Sequence, residues 1–457
     1  MIINNDLMVG NLEQDLVAFW ELSGRKIRLI EQEYTATQGA PVFTWQGKYI
    51  PKGWTDWTQG FQIGSAVLQY DATGEEEFLE LGRTQTVEKM APHVSHVGVH
   101  DHGFNNVSTY GNLLRLMNEG RIPENEFERQ FYRLALKVSG AVQANRWTDL
   151  PEGGYMYSFN GPHSLFVDTV RSCRSLMVSH LLGHSLMGEN DRSINLLGRA
   201  LDHLKVTAKY SIFYGEGRDV YDEWGRTAHE SLFNVNDGNY RCPNSQQGFS
   251  GFTTWTRGVA WAMLGFPEQL ELLATLDEAE LEPFGGRVEL EAIFLKAAKA
   301  TCDWYIGNTP TDGIPYWDSG APNLYRLGDY LDRPADPFNE WEPVDSSAAA
   351  IGVQGLLRLG KYLGTDTDEG QRYWQAGLTA SKTMLGDPYI SRDETHQGLL
   401  LHSIYHQPNG WDYVPEGSKI AYGESCMWGD YHVRELALYL NRTLKGQSDY
   451  CFFAGLK

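Results

Sequence analysis

The sequence predicts an all-α protein whose helix hairpins close into a toroid. Three observations carry this. Helical periodicity of apolar residues dominates, strand-like alternation is scarce, and the motifs that look chemically active are spread from residue 57 to residue 431. A closed ring of helices gathers such distant motifs at one mouth, whereas an open stack would show a regular sequence repeat, and none is visible.

Amphipathic helix is expected, in chain order, over 76–91, 107–119, 125–144, 166–187, 192–209, 288–306, 346–363, 370–385 and 431–443. In 346–363, for example, Ala349, Ile351, Val353, Leu356, Leu357 and Leu359 recur near helical spacing. Residues 1–54 read partly as an extension or loop in front of the ring, and the whole of 1–457 as one domain. Val42-Phe43-Thr44-Trp45 and Gly154-Tyr155-Met156-Tyr157 read as small ribbons in loops. The helices pair across connectors rich in Gly, Pro and Asn. Two of these, 213–251 and 307–343, are long and hold many aromatic and polar residues, which marks them as functional loops. Helix N-termini at a central mouth would add partial positive charge, suited to an anionic ligand.

The chain has 457 residues, 42% of them hydrophobic, and these suffice for a large core. Its formal net charge of −21 speaks against nucleic acid and anionic membranes as partners, because both require clustered Lys and Arg. Cys173, Cys242, Cys302, Cys426 and Cys451 form no Cys-x-x-Cys pair, and their odd number and wide spacing fit reduced thiols. Met1-Ile2-Ile3-Asn4-Asn5-Asp6 lacks the basic and apolar regions of a signal peptide, and no apolar run approaches a membrane span. A cytoplasmic location is the expectation; the oligomeric state is left open.

Six Trp- and Asp-rich motifs stand at the starts of apolar helical runs: Thr55-Asp56-Trp57-Thr58-Gln59-Gly60-Phe61, His100-Asp101-His102-Gly103-Phe104, Leu165-Phe166-Val167-Asp168, Trp255-Thr256-Arg257-Gly258, Asp345-Ser346-Ser347-Ala348 and Trp428-Gly429-Asp430-Tyr431. Indole faces stack on sugar rings and a few polar groups fix the hydroxyls, so the set reads as a carbohydrate enzyme. Asp101 and Asp168 are the paired carboxyl candidates for glycoside chemistry, although an Asp before an apolar run is also an ordinary helix cap. Asp168 follows Ser164-Leu165-Phe166-Val167, where desolvation would raise its pKa toward that of a general acid. His100 and His229 are candidate donors to hydroxyls. Arg257, between Trp255 and Trp261, could stack and take a carboxylate through both arms of its guanidinium; its alternative role is a structural ion pair. Trp57 is a stacking platform or a core residue. No dinucleotide fingerprint, P-loop, nucleophile elbow or His-Glu-x-x-His is present, and neither cofactor nor metal is called for.

These residues resemble the unsaturated glucuronyl hydrolases, family 88 of the glycoside hydrolases, from about residue 55 to residue 443. Trp57-Thr58-Gln59-Gly60-Phe61 is similar to the family's Trp-Thr-Asp-Gly-Phe, with Gln59 in place of Asp. His100–Phe104, Val167-Asp168, Gln247-Gly248 followed by Trp255-Thr256-Arg257-Gly258, Tyr316-Trp317-Asp318, Asp345–Ala348, Tyr405-His406 and Trp428–Tyr431 follow in the family's order. The resemblance implies an (α/α)6 barrel of six helix hairpins with long active-site loops. It implies removal of a non-reducing-end Δ4,5-unsaturated uronic acid from lyase-generated oligosaccharides, by hydration of the C4=C5 enol ether. Asp168 would donate the proton and activate water, with Asp101 assisting at the ring hydroxyls. Trp57, His100, His229, Gln247, Trp255, Arg257, Tyr405 and His406 would bind substrate, and Phe159 would replace the family's platform Trp in a shortened loop. The rival readings are an unsaturated rhamnogalacturonyl hydrolase or a β-glucuronidase on the same barrel and, further off, a sugar epimerase or a non-catalytic sugar-acid binding protein.

Overall fold

The computed structural model describes residues 1–34, 39–53 and 57–456; Thr55 and Asp56 of the first motif lie outside them. Among the described residues twelve helices build two concentric rings. They are α1 (Glu13–Glu33), α2 (Gln59–Thr73), α3 (Glu76–Lys89), α4 (102–118), α5 (Glu126–Ala144), α6 (169–181), α7 (Leu196–Tyr210), α8 (Thr256–Leu273), α9 (Gly286–Gly307), α10 (Ser346–Leu363), α11 (Asp368–Met384) and α12 (Met427–Leu444). Helix α4 contains a π-helical turn at Val107–Gly111. The even-numbered helices form the inner ring. Each packs on the next, and α12 closes on α2. The odd-numbered helices lie outside, with α1 against α2 and α12. This is the (α/α)6 barrel.

The inner helices are short of amphipathic pattern because they are buried nearly all round. In α8 every residue from Thr256 to Leu273 except Glu271 is buried. A helix apolar on all faces belongs in a core. Small residues let the inner helices approach: a Cβ on Gly355 of α10 would meet the Met263 carbonyl oxygen of α8 at 2.0 Å. Charges inside the ring are paired. Arg171 reaches Glu268 at 2.7 Å and Glu435 at 2.6 Å. A buried arginine keeps its charge only with such partners.

Three differences from the sequence expectation have physical causes. Residues 13–33, expected within an extension or loop, form a long helix burying Leu16, Phe19, Trp20, Ile27 and Ile30. The Ser23-Gly24 pair interrupts its pattern, because the helix there lies close against Gln69. Helices α2 and α8 show no apolar period in the sequence because nearly every face is buried. The expected helix 166–187 is shorter: Ser164–Phe166 is instead a strand, paired with Glu230–Phe233, which pairs with Tyr240–Asn244. The two expected ribbons are strands Pro41–Trp45 and Gly153–Met156. Among the described residues no helix is long and apolar enough to cross a membrane.

Candidate active site

The N-terminal ends of α2, α4, α6 and α8 meet at one mouth, and described residues of four of the six motifs line it. A cavity opens between them. It is lined by Trp57, His100, Asp101, Phe159, Asp168, Gln247, Trp255, Arg257, Tyr405 and His406, together with Phe104, Phe166, Gln246 and Trp261. Of the residues expected to bind substrate, His229 lies behind this lining, with its ring 4.4 Å from Phe166 and 4.7 Å from Trp255.

Asp101 and Asp168 precede α4 and α6, yet neither side chain caps its helix. Asp345, by contrast, caps α10 by accepting from the Ser347 N–H. The two carboxyls are held toward the cavity by the packing of α4 on α6. Gln143 Nε2 and Ser172 Oγ both donate to the His100 carbonyl, at 2.7 and 2.6 Å. A Cβ on Gly103 would meet the Ser172 carbonyl oxygen at 2.3 Å, so only glycine permits this approach. On the other side, the Val167 N–H donates to the His229 carbonyl at 2.9 Å and fixes the strand that delivers Asp168.

His100 Nε2 stands between the carboxyls, 3.3 Å from Asp168 Oδ2 and 3.8 Å from Asp101 Oδ1. Burial pushes the Asp168 carboxyl up, but the hydrogen bond and charge of His100, with His229, outweigh it and hold Asp168 below its ordinary value. The desolvation argument from sequence therefore gives the wrong sign for Asp168, because it could not see the imidazole. Burial wins at Asp101, which is pushed up, with the Asp168 charge adding to the shift. Burial pulls His100 down, but Asp101 and Asp168 together hold it above its ordinary value.

His229 Nδ1 accepts from the Gln246 and Gln247 backbone N–H groups at 3.1 and 3.3 Å, so its proton resides on Nε2. Burial lowers its pKa to about 4, leaving a neutral donor. Five buried polar atoms of this region have no protein partner: His100 Nδ1, Asp168 Oδ1, His229 Nε2, Gln246 Oε1 and His406 Nδ1. Such groups cost free energy unless something bonds them, so together they mark a site for a polar ligand.

Arg257 differs from the expected carboxylate clamp. Its two terminal nitrogens donate to Asp345 (2.7 Å), the Ile404 carbonyl, the Tyr405 carbonyl (2.6 Å) and Gln247 Oε1 (3.2 Å). The guanidinium also lies over the Trp255 and Trp428 rings at 4.5 and 4.9 Å. Arg257 thus supplies positive potential and ties three loops together. Asp412, which sequence reasoning passed over, anchors the same loop by accepting from the Tyr405 and His406 N–H groups. Trp57 stacks on Trp428 at 4.8 Å, and its ring also lines the cavity. Phe159 stacks over His100 at 6.0 Å.

His100, Asp101 and Asp168 also form a group of potential metal ligands, whose donor atoms lie within 4.8 Å of one another. A cation there would displace the His100–Asp168 hydrogen bond.

No family model matches the chain. It is 26% identical over 411 residues to the unsaturated glucuronyl hydrolase of Bacillus sp. (strain GL1), covering 87% of this chain and 90% of that protein. It is 22% identical to the unsaturated chondroitin disaccharide hydrolase of Streptococcus pyogenes serotype M1, covering 93% and 91%. The crystal structure of the Bacillus sp. GL1 enzyme superposes with a TM-score of 0.71 at 22% identity, over 96% of this chain and 98% of that one. The chain thus shares the barrel fold of the unsaturated glucuronyl hydrolases and is similar to them in sequence along almost its whole length.

Proposed function

We propose that this protein hydrates the C4=C5 enol ether of a Δ4,5-unsaturated uronic acid at the non-reducing end of an oligosaccharide, releasing the rest of the chain. One observation carries the reading. Asp168 keeps Oδ2 on His100 while its buried Oδ1 has no protein partner, the arrangement a proton-transferring carboxyl needs at a reacting atom.

In the proposed reaction Asp168 delivers a proton to C4, and the cationic character that develops at C5 is quenched by water, whose proton returns to Asp168. The product is a hemiketal at C5. Its ring C5–O bond opens to a ketone, and the C1 hemiacetal so formed expels the leaving sugar with its glycosidic oxygen intact. Resting Asp168 is held ionised, so the proton must be gained on binding. A uronate beside Asp101 and Asp168 would raise both carboxyls by like-charge repulsion and by excluding water. Asp101, already pushed up, suits a hydrogen-bonding role toward ring hydroxyls. Trp57 and Phe159 offer ring faces, His229 and Gln247 polar contacts, and Arg257 the positive potential that makes an anionic sugar tolerable.

An inverting glycosidase places its carboxyls about 6.5–9.5 Å apart to admit water; donor oxygens of Asp101 and Asp168 lie within 4.8 Å, which does not favour that alternative. The proposal includes a cytoplasmic place of action, supported by five unpaired cysteines. The test is turnover of an unsaturated uronyl disaccharide, followed by loss of its enol-ether ultraviolet absorbance, against a saturated glucuronide. Turnover of the saturated sugar alone would sink the reading.

A further inference from the structure

Glu230 follows His229 and is only 2% exposed, yet it makes no ion pair among the described residues. Its carboxylate is met instead by neutral donors from two separate loops. Asn160 Nδ2, at 3.0 Å, and the Ser164 hydroxyl donate to Oε1, and Asn244 Nδ2 donates to Oε2 at 2.7 Å. In the sheet Glu230 stands opposite Phe166, two residues before Asp168. A buried carboxylate without a cation is costly, and hydrogen bonds from fixed donors are what offset it. The donors here belong to the segments that build the cavity wall.

The first segment is the turn 158–164. Its neck is closed by the Ser158 and Ser164 hydroxyls, 2.7 Å apart, and by the Ser158 N–H donating to the Ser164 carbonyl at 2.9 Å. Its far end, Pro162, is held by the Thr148 and Tyr155 hydroxyls. Arg146 fixes the limb before Phe159 by donating to the Tyr157 and Ser158 carbonyls at 3.1 and 2.7 Å. Glu230 fixes the limb after it, through Asn160. Phe159 is thereby set over His100 and edge-on to Phe166 at 5.3 Å, and Phe166 in turn lies 5.6 Å from His100. The two phenyl rings box the imidazole that bonds Asp168. The second segment, 244–247, carries the Gln246 and Gln247 N–H groups that fix the His229 tautomer.

We infer that Glu230 is a positioning residue for the reaction proposed above, on which this rests. Its carboxylate locks the Phe159 turn to the Gln246-Gln247 segment and so sets His100, His229 and Asp168 against the sugar. Glu230 is not among the described residues that line the cavity, and it acts through those that do.

The experiment measures kcat, KM and Tm on an unsaturated uronyl disaccharide for wild type, Asn160→Ala, Asn244→Ala, Glu230→Gln, Glu230→Ala and the double variant Asn160→Ala/Glu230→Ala. Glu230→Ala lowers kcat/KM about 10²-fold, the scale of a reacting group misplaced by about 1 Å. Glu230→Gln, whose amide oxygen can still accept from Asn160 and Ser164, recovers most of that loss. Asn160→Ala lowers kcat/KM in the wild type but costs nothing further in Glu230→Ala, as expected of residues that act through one another. A folded Glu230→Ala within about twofold of wild type, or an Asn160→Ala effect that simply multiplies with it, overturns the inference. If Glu230→Ala does not fold, the exposed Asn160 and Asn244 decide: kcat/KM within about twofold of wild type in both single variants overturns it. If the wild type does not turn over the disaccharide, the proposed function falls, and a crystal structure of Asn160→Ala/Asn244→Ala decides the role of Glu230. Phe159 displaced from His100 upholds it, and Phe159 and Gln247 in their wild-type places overturn it.

Discussion

His100 Nε2 lies 3.3 Å from Asp168 Oδ2, and both side chains are withdrawn from solvent. Together with His229, this contact outweighs burial and holds the Asp168 carboxyl below its ordinary value. It also leaves Oδ1 as the free end of the carboxyl. Position alone thus shifts two aspartates that look alike in sequence in opposite directions.

Asp168→Asn keeps the shape and removes the transferable proton. Turnover of an unsaturated disaccharide should fall by roughly 10²–10⁴, with Tm close to that of the wild type. Near-normal turnover by the purified variant would show that proton transfer belongs elsewhere.

His100→Gln should move the Asp168 titration upward, because burial then loses its main opponent and is countered only by His229 and the backbone. Asp168 is lowered on folding, so its contribution is present above its unfolded pKa and is lost as pH falls through the folded value. His100 is raised, so its contribution is complete below its unfolded pKa and is lost as pH rises through the folded value. The Tm difference between wild type and His100→Gln should therefore be greatest between about pH 4 and about 6.5, narrowing on either side. A difference that is flat with pH would mean that the contact is steric only.

Arg257→Lys should damage structure and binding together. One ammonium cannot serve Asp345, two backbone carbonyls and Gln247, and each buried acceptor left unpaired costs about 1–3 kcal/mol. Tm should drop and KM for the unsaturated uronide should rise, as the Tyr405-His406 loop loses its tie. A raised KM at unchanged Tm would restore the carboxylate clamp that the sequence suggested.

The ring itself was legible because its outer helices are amphipathic: 126–144 and 368–384 were predicted to within a residue or two. The inner helices α2 and α8 carried no period, having no solvent face, and were marked only by the Trp- and Asp-rich motifs at their starts. Most of the cavity wall was legible for the same reason, since those motifs are where inner helices meet the mouth. Partnership was not legible. Whether Asp101 and Asp168 cap helices or face a cavity, whether Arg257 is free or committed, and which way a carboxyl titrates depend on atoms brought together from 68 to 148 positions away. Gln246 and Asp412 were missed because nothing in their local sequence departs from an ordinary loop.

The last prediction distinguishes hydration from cleavage at the anomeric carbon. If Asp168 protonates C4, reaction in deuterated water places deuterium at C4 of the released uronic acid. In ¹⁸O-labelled water the label enters at C5, and the leaving sugar keeps its original glycosidic oxygen. A direct displacement would do the opposite, putting ¹⁸O at C1 and no deuterium at C4. Saturated glucuronides, with no enol ether to protonate, should be poor substrates. A chelator belongs in the same experiment, because His100, Asp101 and Asp168 could also hold a cation. Activity that survives chelation, with deuterium at C4, assigns the chemistry to the carboxyl. Activity lost on chelation and restored by a divalent metal would assign the same three residues to a metal instead.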